Sequence, residues 1–161
     1  ANFSLLGTNN PASTTTSSFT GISGKNELFL TFTNVQLAST GTITFRINAD
    51  SGSNYLSNGF IIPGTGAPAV FTPRGGGTHM GNLQGTNADY SNGYVKISGC
   101  NTTGPKPYQI VWFDYNGSIY SAYSAGGIWN NASTVTSFDI TSTTNFNAGA
   151  ATTIKLYGSA A

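Results

Sequence analysis

The chain has 161 residues and a mass of 16.7 kDa, and its six Lys+Arg and five Asp+Glu make charge only 7% of it, where ordinary soluble domains carry about 25%. This excludes coiled coils, which need charged flanks to their seams, basic nucleic-acid surfaces, and disordered tails built from runs of one sign. A net charge of +1 steers no acidic partner, and no run reaches the roughly 18 apolar residues of a membrane span, so neither nucleic acid nor membrane is expected as a partner.

In chain order, residues 1–17 read as an N-terminal arm. Ala1 to Asn10 has no basic segment followed by a long apolar run and is not expected to be a signal peptide; Ala1 is read as following a removed initiator Met. Leu28, Leu30 and Phe32 alternate with Phe29, Thr31 and Thr33, and Ile43, Phe45 and Ile47 alternate with Thr42, Thr44, Arg46 and Asn48, which is the period of half-buried strands. Ala38 to Gly41 is the turn between them. Residues 63–85 carry three of the six prolines and Gly75-Gly76-Gly77, so long surface loops with at most short strands are expected there. Tyr94 to Ser98 and Tyr108 to Tyr115 resume the alternation. Asn116-Gly117, a strong hairpin signal, leads into Ser118 to Tyr123. Val135 to Ile140 and Thr152 to Tyr157 read as a final pair joined by the loop Asn145 to Gly149.

No segment keeps a 3.6-residue stripe for three turns. The expectation is a single all-β domain over 1–161: an antiparallel β-sandwich, jelly-roll-like, of about eight to ten short strands with no significant helix. Ten Phe, eight Tyr and two Trp supply apolar area enough to offset ordering entropy. Thr, Ser, Asn and Gly fill 79 of 161 positions, and the hydroxyls suit the solvent faces of strands. With few lysines to blunt exposed edges, subunit pairing is expected.

Chemistry-bearing residues are few. Glycoside hydrolysis needs two carboxylates at a set spacing, and of Glu27, Asp50, Asp89, Asp114 and Asp139 three read as local structural groups: Asp50 and Asp114 at turn starts, Asp139 within a strand. His79 is the only histidine and Cys100 the only cysteine. One of each makes zinc improbable and forbids an internal disulfide, and no Gly-x-Ser-x-Gly elbow accompanies the histidine. The glycine run lacks the Gly-Lys-Ser/Thr ending of a phosphate loop. Asp50-Ser51-Gly52-Ser53-Asn54 lacks the later acids of a calcium loop and reads as a turn. No catalytic residue, cofactor or metal is therefore expected. Tyr120, Tyr123 and Trp129 beside Gly126-Gly127, together with Arg74 and His79, are the candidate contacts for a glycan or protein partner; against that stands the usual work of large aromatics in cores and interfaces. The four Asn-x-Ser/Thr matches at Asn2, Asn101, Asn116 and Asn131 are what so rich a composition produces by chance.

Two stretches carry a resemblance. Ile47 to Tyr55 resembles the Asn-x-Asp-x-Gly-x-Asn-Tyr segment of small β-rich virion proteins of tailed bacteriophages. Gly127-Ile128-Trp129, Val135 to Ile140, Asn145-Phe146-Asn147-Ala148-Gly149 and Ile154 to Gly158 are similar to their terminal order of Trp turn, alternating strand, Asn-Phe-x-x-Gly loop and closing Leu-Tyr-Gly strand. The similarity spans Phe19 to Gly158, and residues 63–85 depart from it. It implies a virion structural protein made in the host cytoplasm, often trimeric, and it transfers no catalytic residues. The expected function is a homo-oligomeric capsid cement or decoration protein, with itself and other virion proteins such as the major capsid protein as partners. The alternatives are a tail-fibre module recognising host-surface carbohydrate and, third, a small depolymerase.

Overall fold

The computed structural model describes residues 2–64, 66–115 and 120–160, with 71–76 and 82 described by their backbone alone. Among the described residues there is no helix, and twelve strands form two antiparallel sheets. The strands are β1 (Ser4–Asn9), β2 (Thr16–Thr20), β3 (Glu27–Val35), β4 (Gly41–Ile47), β5 (Tyr55–Ile62), β6 (Ala69–Gly77), β7 (Asn82–Gly85), β8 (Tyr90–Ser98), β9 (Lys106–Tyr115), β10 (Tyr120–Trp129), β11 (Ser137–Ser142) and β12 (Thr153–Ser159). The large sheet has the order β1-β12-β3-β8-β9-β10-β5-β6 and the small one β2-β11-β4-β7.

Alternation decides which face each strand buries. Leu28, Leu30 and Phe32 of β3, Val95 and Ile97 of β8, and Ile154 and Leu156 of β12 point inward from the large sheet; Ile43, Phe45 and Ile47 of β4 meet them from the small one. Phe45 bridges the layers, its ring centroid 5.9 Å from that of Phe32 and 6.2 Å from that of Trp112. Phe32 and Trp112 lie 4.6 Å apart, and aromatic pairs at such distances add about 0.5–1.5 kcal/mol beyond their burial. The result is the β-sandwich expected from the strand pattern.

Several details differ from that expectation. The strands number twelve, because β1, β2, β5, β6 and β7 lack clean alternation. The described part of the expected arm, residues 2–17, does not trail: β1 pairs with β12, and the backbone of Ser13, Thr14 and Thr15 is hydrogen-bonded to Phe146 and Ser142. The 63–85 segment holds a nine-residue strand rather than only loops. Pro73 and three glycines are tolerated in β6 because it is the outer strand of its sheet, joined to β5 with two register shifts. Met80 and Leu83 from the same segment are core residues. Strands β11 and β12 are not a pair. They lie in different sheets, β11 between β2 and β4 and β12 between β1 and β3, so the Asn145 to Gly149 loop crosses between layers. The β9–β10 hairpin is present, with Tyr115 opposite Tyr120; its Asn116-Gly117 turn lies outside the described residues.

Gly93 on β8 leaves room for the Phe32–Trp112 contact. A Cβ there would stand 2.7 Å from the Phe32 ring and 2.1 Å from the Val111 carbonyl oxygen, so the sheet itself must yield. Gly93→Ala is expected to cost at least about 2 kcal/mol, read as a lowered urea midpoint; an unchanged midpoint would mean the aromatic contact is not held as described.

Candidate functional site

Two aspartates organise opposite ends of the sandwich. Asn48 and Ala49 both adopt left-handed φ values of 54° and 53°, and the Asp50 amide donates to the Ile47 carbonyl at 2.9 Å, closing a tight turn after β4. That turn aims the Asp50 carboxylate at the end of β10. Its Oδ2 accepts from the Trp129 indole Nε1 at 2.6 Å and from Asn54 Nδ2 at 2.8 Å, and its Oδ1 accepts from the Gly52 amide at 2.8 Å. Burial alone would raise the Asp50 pKa, but these donors outweigh it and hold the group below its ordinary 3.8. This is the turn expected there.

Beneath the carboxylate lies a cross-strand row of Lys106, Trp129 and Tyr55, all fully buried. The Lys106 ammonium sits 5.3 Å from the Trp129 ring centroid and donates to the Asn131 carbonyl at 2.9 Å. Burial pulls its pKa below the usual lysine value. The Tyr55 hydroxyl crosses to the small sheet, accepting from the Ile47 amide at 2.9 Å. Asn48 completes the joint: its side chain donates to the Thr134 carbonyl and accepts from the amides of Thr136 and Ser137. The nearby Cys100 thiol is buried and pushed up to about 12, which makes it a poor nucleophile.

Asp114, near the far end of β9, is buried. It accepts from Ser91 Oγ at 2.5 Å, from the Trp112 indole and from the Tyr123 hydroxyl. Here burial prevails over the donors, with Asp89 adding repulsion, and the carboxyl is pushed up to about 6. Each tryptophan of the chain thus donates its indole N–H to one aspartate.

The outer faces of the two sheets are opposite in character. That of the small sheet presents Thr42, Thr44 and Arg46 on β4, and Ser137, Asp139 and Thr141 on β11. That of the large sheet, across β8, β9, β10 and β5 and at Val70 of β6, carries large apolar side chains beside a few polar ones, Asn92, Lys96, Gln109 and Asn58. Three in-register rows cross it: Tyr90–Tyr115–Tyr120; Phe113–Ala122–Ile62; and Val111–Ser124–Phe60–Val70; a polar row, Lys96–Gln109–Gly126–Asn58, separates these from Ile128 and Leu56. The large apolar side chains among them, Val111 apart, are between 40% and 75% exposed. Among the described outward side chains of β5, β8, β9 and β10, Lys96 is the sole charge.

The sequence-based candidates do not form one site. Trp129 is buried and donates to Asp50, so its ring is unavailable for stacking. Tyr123 is half-buried against the core and serves Asp114. Tyr120 is 71% exposed, but stands at the opposite end of β10 from Trp129. His79 is half-buried in the β6–β7 connection, and Arg74 lies opposite Ser57 on β6, with its side chain outside the described residues. Among the described residues no three His, Cys, Asp or Glu side chains are grouped to hold a metal ion. The apolar face is not legible in the sequence because strands β5 and β6 alternate poorly; that Phe60 and Phe113 lie on one face in neighbouring rows is visible only once the strands are paired.

No protein-family model and no curated protein matches the sequence. Among solved structures, the crystal structure of Caenorhabditis elegans galectin LEC-6 is similar over 94% of this chain and 94% of that chain, at 12% identity and a TM-score of 0.31, a likeness too slight to carry an argument.

Removing the Asp50 carboxylate leaves the Trp129 indole and the Asn54 amide without their acceptor. Asp50→Ala is expected to lower stability by about 2 kcal/mol, with a shift in tryptophan fluorescence; equal stability would mean the donors find water without penalty. Asp114 has the opposite sign. Because its carboxyl holds a proton more tightly folded than unfolded, its cost is absent below about pH 4, grows as pH rises towards 6 and stays in full above. A cost of the order of 2–3 kcal/mol at neutral pH follows from the size of the shift. Asp114→Asn is expected to remove that part of the fall in stability between pH 4 and 7, and identical pH profiles for the two proteins would refute it.

Proposed function

We propose that this chain is a structural protein of a tailed-bacteriophage virion, a homo-oligomeric capsid cement or decoration protein on the particle surface. The supporting observation is the hydrogen bond between Asp50 and Trp129. The two stretches that resemble phage virion proteins, Ile47 to Tyr55 and the segment opening at Gly127-Ile128-Trp129, are far apart in sequence yet meet at this bond. Two short motifs that form one joint are a stronger likeness than two that merely occur in order. The contrast of faces agrees with the reading: a module that covers an apolar side and turns a hydroxyl-rich side to water suits a surface exposed to varying salt, where screened ion pairs contribute little.

A second reading, a receptor-binding module for host-surface carbohydrate, draws on the Tyr90–Tyr115–Tyr120 row, whose rings are 47%, 53% and 71% exposed. Tyrosines so placed offer apolar faces with a polar tip, the combination that sugars require.

Incubation of the purified chain with particles lacking it, followed by sedimentation, distinguishes the two. A decoration protein is expected to cosediment with emptied capsids at a fixed ratio to the major capsid protein. Blocking of adsorption to host cells without capsid binding would favour the carbohydrate reading, and neither behaviour would remove both.

A further inference from the structure

We propose that the apolar outer face of the large sheet is a self-association surface, covered in solution by the same face of a second copy related by a two-fold axis. The inference deepens the homo-oligomeric part of the proposed function. It is tested on the isolated chain, so a monomer would overturn this interface while capsid binding would still be decided by cosedimentation.

Area comes first. The seven large side chains Tyr90, Tyr115, Tyr120, Phe113, Ile62, Phe60 and Val70 at these exposures offer roughly 750 Å² of accessible surface, beyond the roughly 300–600 Å² of the largest patch on a typical monomer and close to the roughly 800 Å² per partner that a standard interface buries. The patch is one surface, because antiparallel register places Phe60, Val70, Phe113, Ile62 and Tyr120 on the same side of four adjacent strands.

Charge then selects the occupant. Among the described outward side chains of β5, β8, β9 and β10, a partner of either sign would find only Lys96 to pair with, whereas electrostatic recognition needs a charged surface on both sides. Two copies of a patch with almost no charge meet without like-charge repulsion, the condition an isologous contact imposes, since every residue near the axis faces its own counterpart. Paired in this way, the two copies turn their hydroxyl-rich small sheets outward, and the dimer exposes the surface that the composition suits to water. A two-fold pairing also uses each face once, so it predicts a dimer and not the trimer that the sequence resemblance implies.

Analytical ultracentrifugation of the purified chain at about 1–100 μM, a span that brackets ordinary dimer affinities, is expected to show a species of twice 16.7 kDa. Phe60→Lys and Val70→Lys, separately and together, replace exposed side chains paired across β5 and β6 within the patch. They are expected to weaken dimerisation at least about 30-fold, the equivalent of about 2 kcal/mol, while thermal melting and circular dichroism stay those of the parent. Thr20→Lys on the small sheet's outer face should leave the dimer intact. Tyr120→Lys serves as an independent disruptor should the β5–β6 variants fold poorly. A monomeric parent, a trimer, or a dimer indifferent to both Phe60→Lys and Tyr120→Lys would overturn the proposal.

Discussion

The Asp50–Trp129 hydrogen bond is the contact on which the two-layer arrangement turns. The chain leaves the small sheet at the end of β4 and enters the large one at β5; it leaves the large sheet at the end of β10 and returns at β11. Both crossings occur at the same end of the sandwich, and a carboxylate from one accepts the indole N–H at the mouth of the other. In a chain with five acids, one ionised group there answers several donors that would otherwise be desolvated without acceptors. The buried Lys106 ammonium below it is held by the Trp129 ring and the Asn131 carbonyl rather than by a carboxylate, so the charge of Asp50 remains available to its own donors. Asp114 shows what happens when burial is deeper: its donors no longer compensate, and the carboxyl titrates far above its usual range. The same residue type thus stabilises one end above acid pH and costs stability at the other.

Scarcity of charge has a second consequence once the sheets are paired. The expectation that Thr, Ser and Asn occupy the outward faces holds for the small sheet and fails for the large one, where Phe60, Ile62, Val70 and Phe113 stand outward. Of the outer strands, β1, β2 and β7 contain no lysine, whereas β6 carries Pro73, Arg74 and two register shifts that blunt its edge. The apolar face is the stronger pull towards association. Where β1 and β2 flank the gap between layers, a cavity of about 360 Å³ lined by Leu6, Phe19, Ile22 and Leu156 remains, so the sandwich is also incompletely closed on that side.

Legibility from the sequence tracked how many faces a strand shows to different media. Strand β4, with a core on one side and water on the other, alternates cleanly and was readable; so were β3, β9 and β12. Strand β5 hides little on its inner side, where Ser57, Gly59 and Ile61 are only half-buried, and exposes Leu56, Phe60 and Ile62, so its pattern is inverted and the strand went unseen. Pro73 and the glycine run suggested loop, yet an outer strand can carry both, because only one of its edges must be paired. Pairing of β11 with β12 was the natural expectation from adjacency. A loop of ten residues is long enough to change layers, and nothing local reveals which it does. The site residues failed for a related reason: Trp129 and Tyr123 carry polar tips that suit either a ligand or a buried acceptor, and the acceptors, Asp50 and Asp114, are distant or cross-strand.

The place of the motifs bears on what their resemblance can carry. Asn48 binds the 134–137 segment, Asp50 binds Trp129, Tyr55 binds Ile47, and Asn147 donates to Gln36 and accepts from the Gly149 amide. Asn48, Asp50, Tyr55 and Asn147 are thus occupied in joining one part of the chain to another, and Phe138 and Phe146 are wholly core. Such residues constrain the way this chain crosses between its layers. The outward apolar rows are built instead from Phe60, Ile62 and Val70, Tyr90, Val111, Phe113 and Tyr115, and Tyr120 to Ser124, all between the two motif stretches. The surface proposed for self-association is therefore built from side chains that the joint does not use. A fold held by turn-and-strand joints of this kind can keep its architecture while the face it presents is replaced, which is why the likeness of motifs supports an architecture and the identity of the partner has to be read from the face.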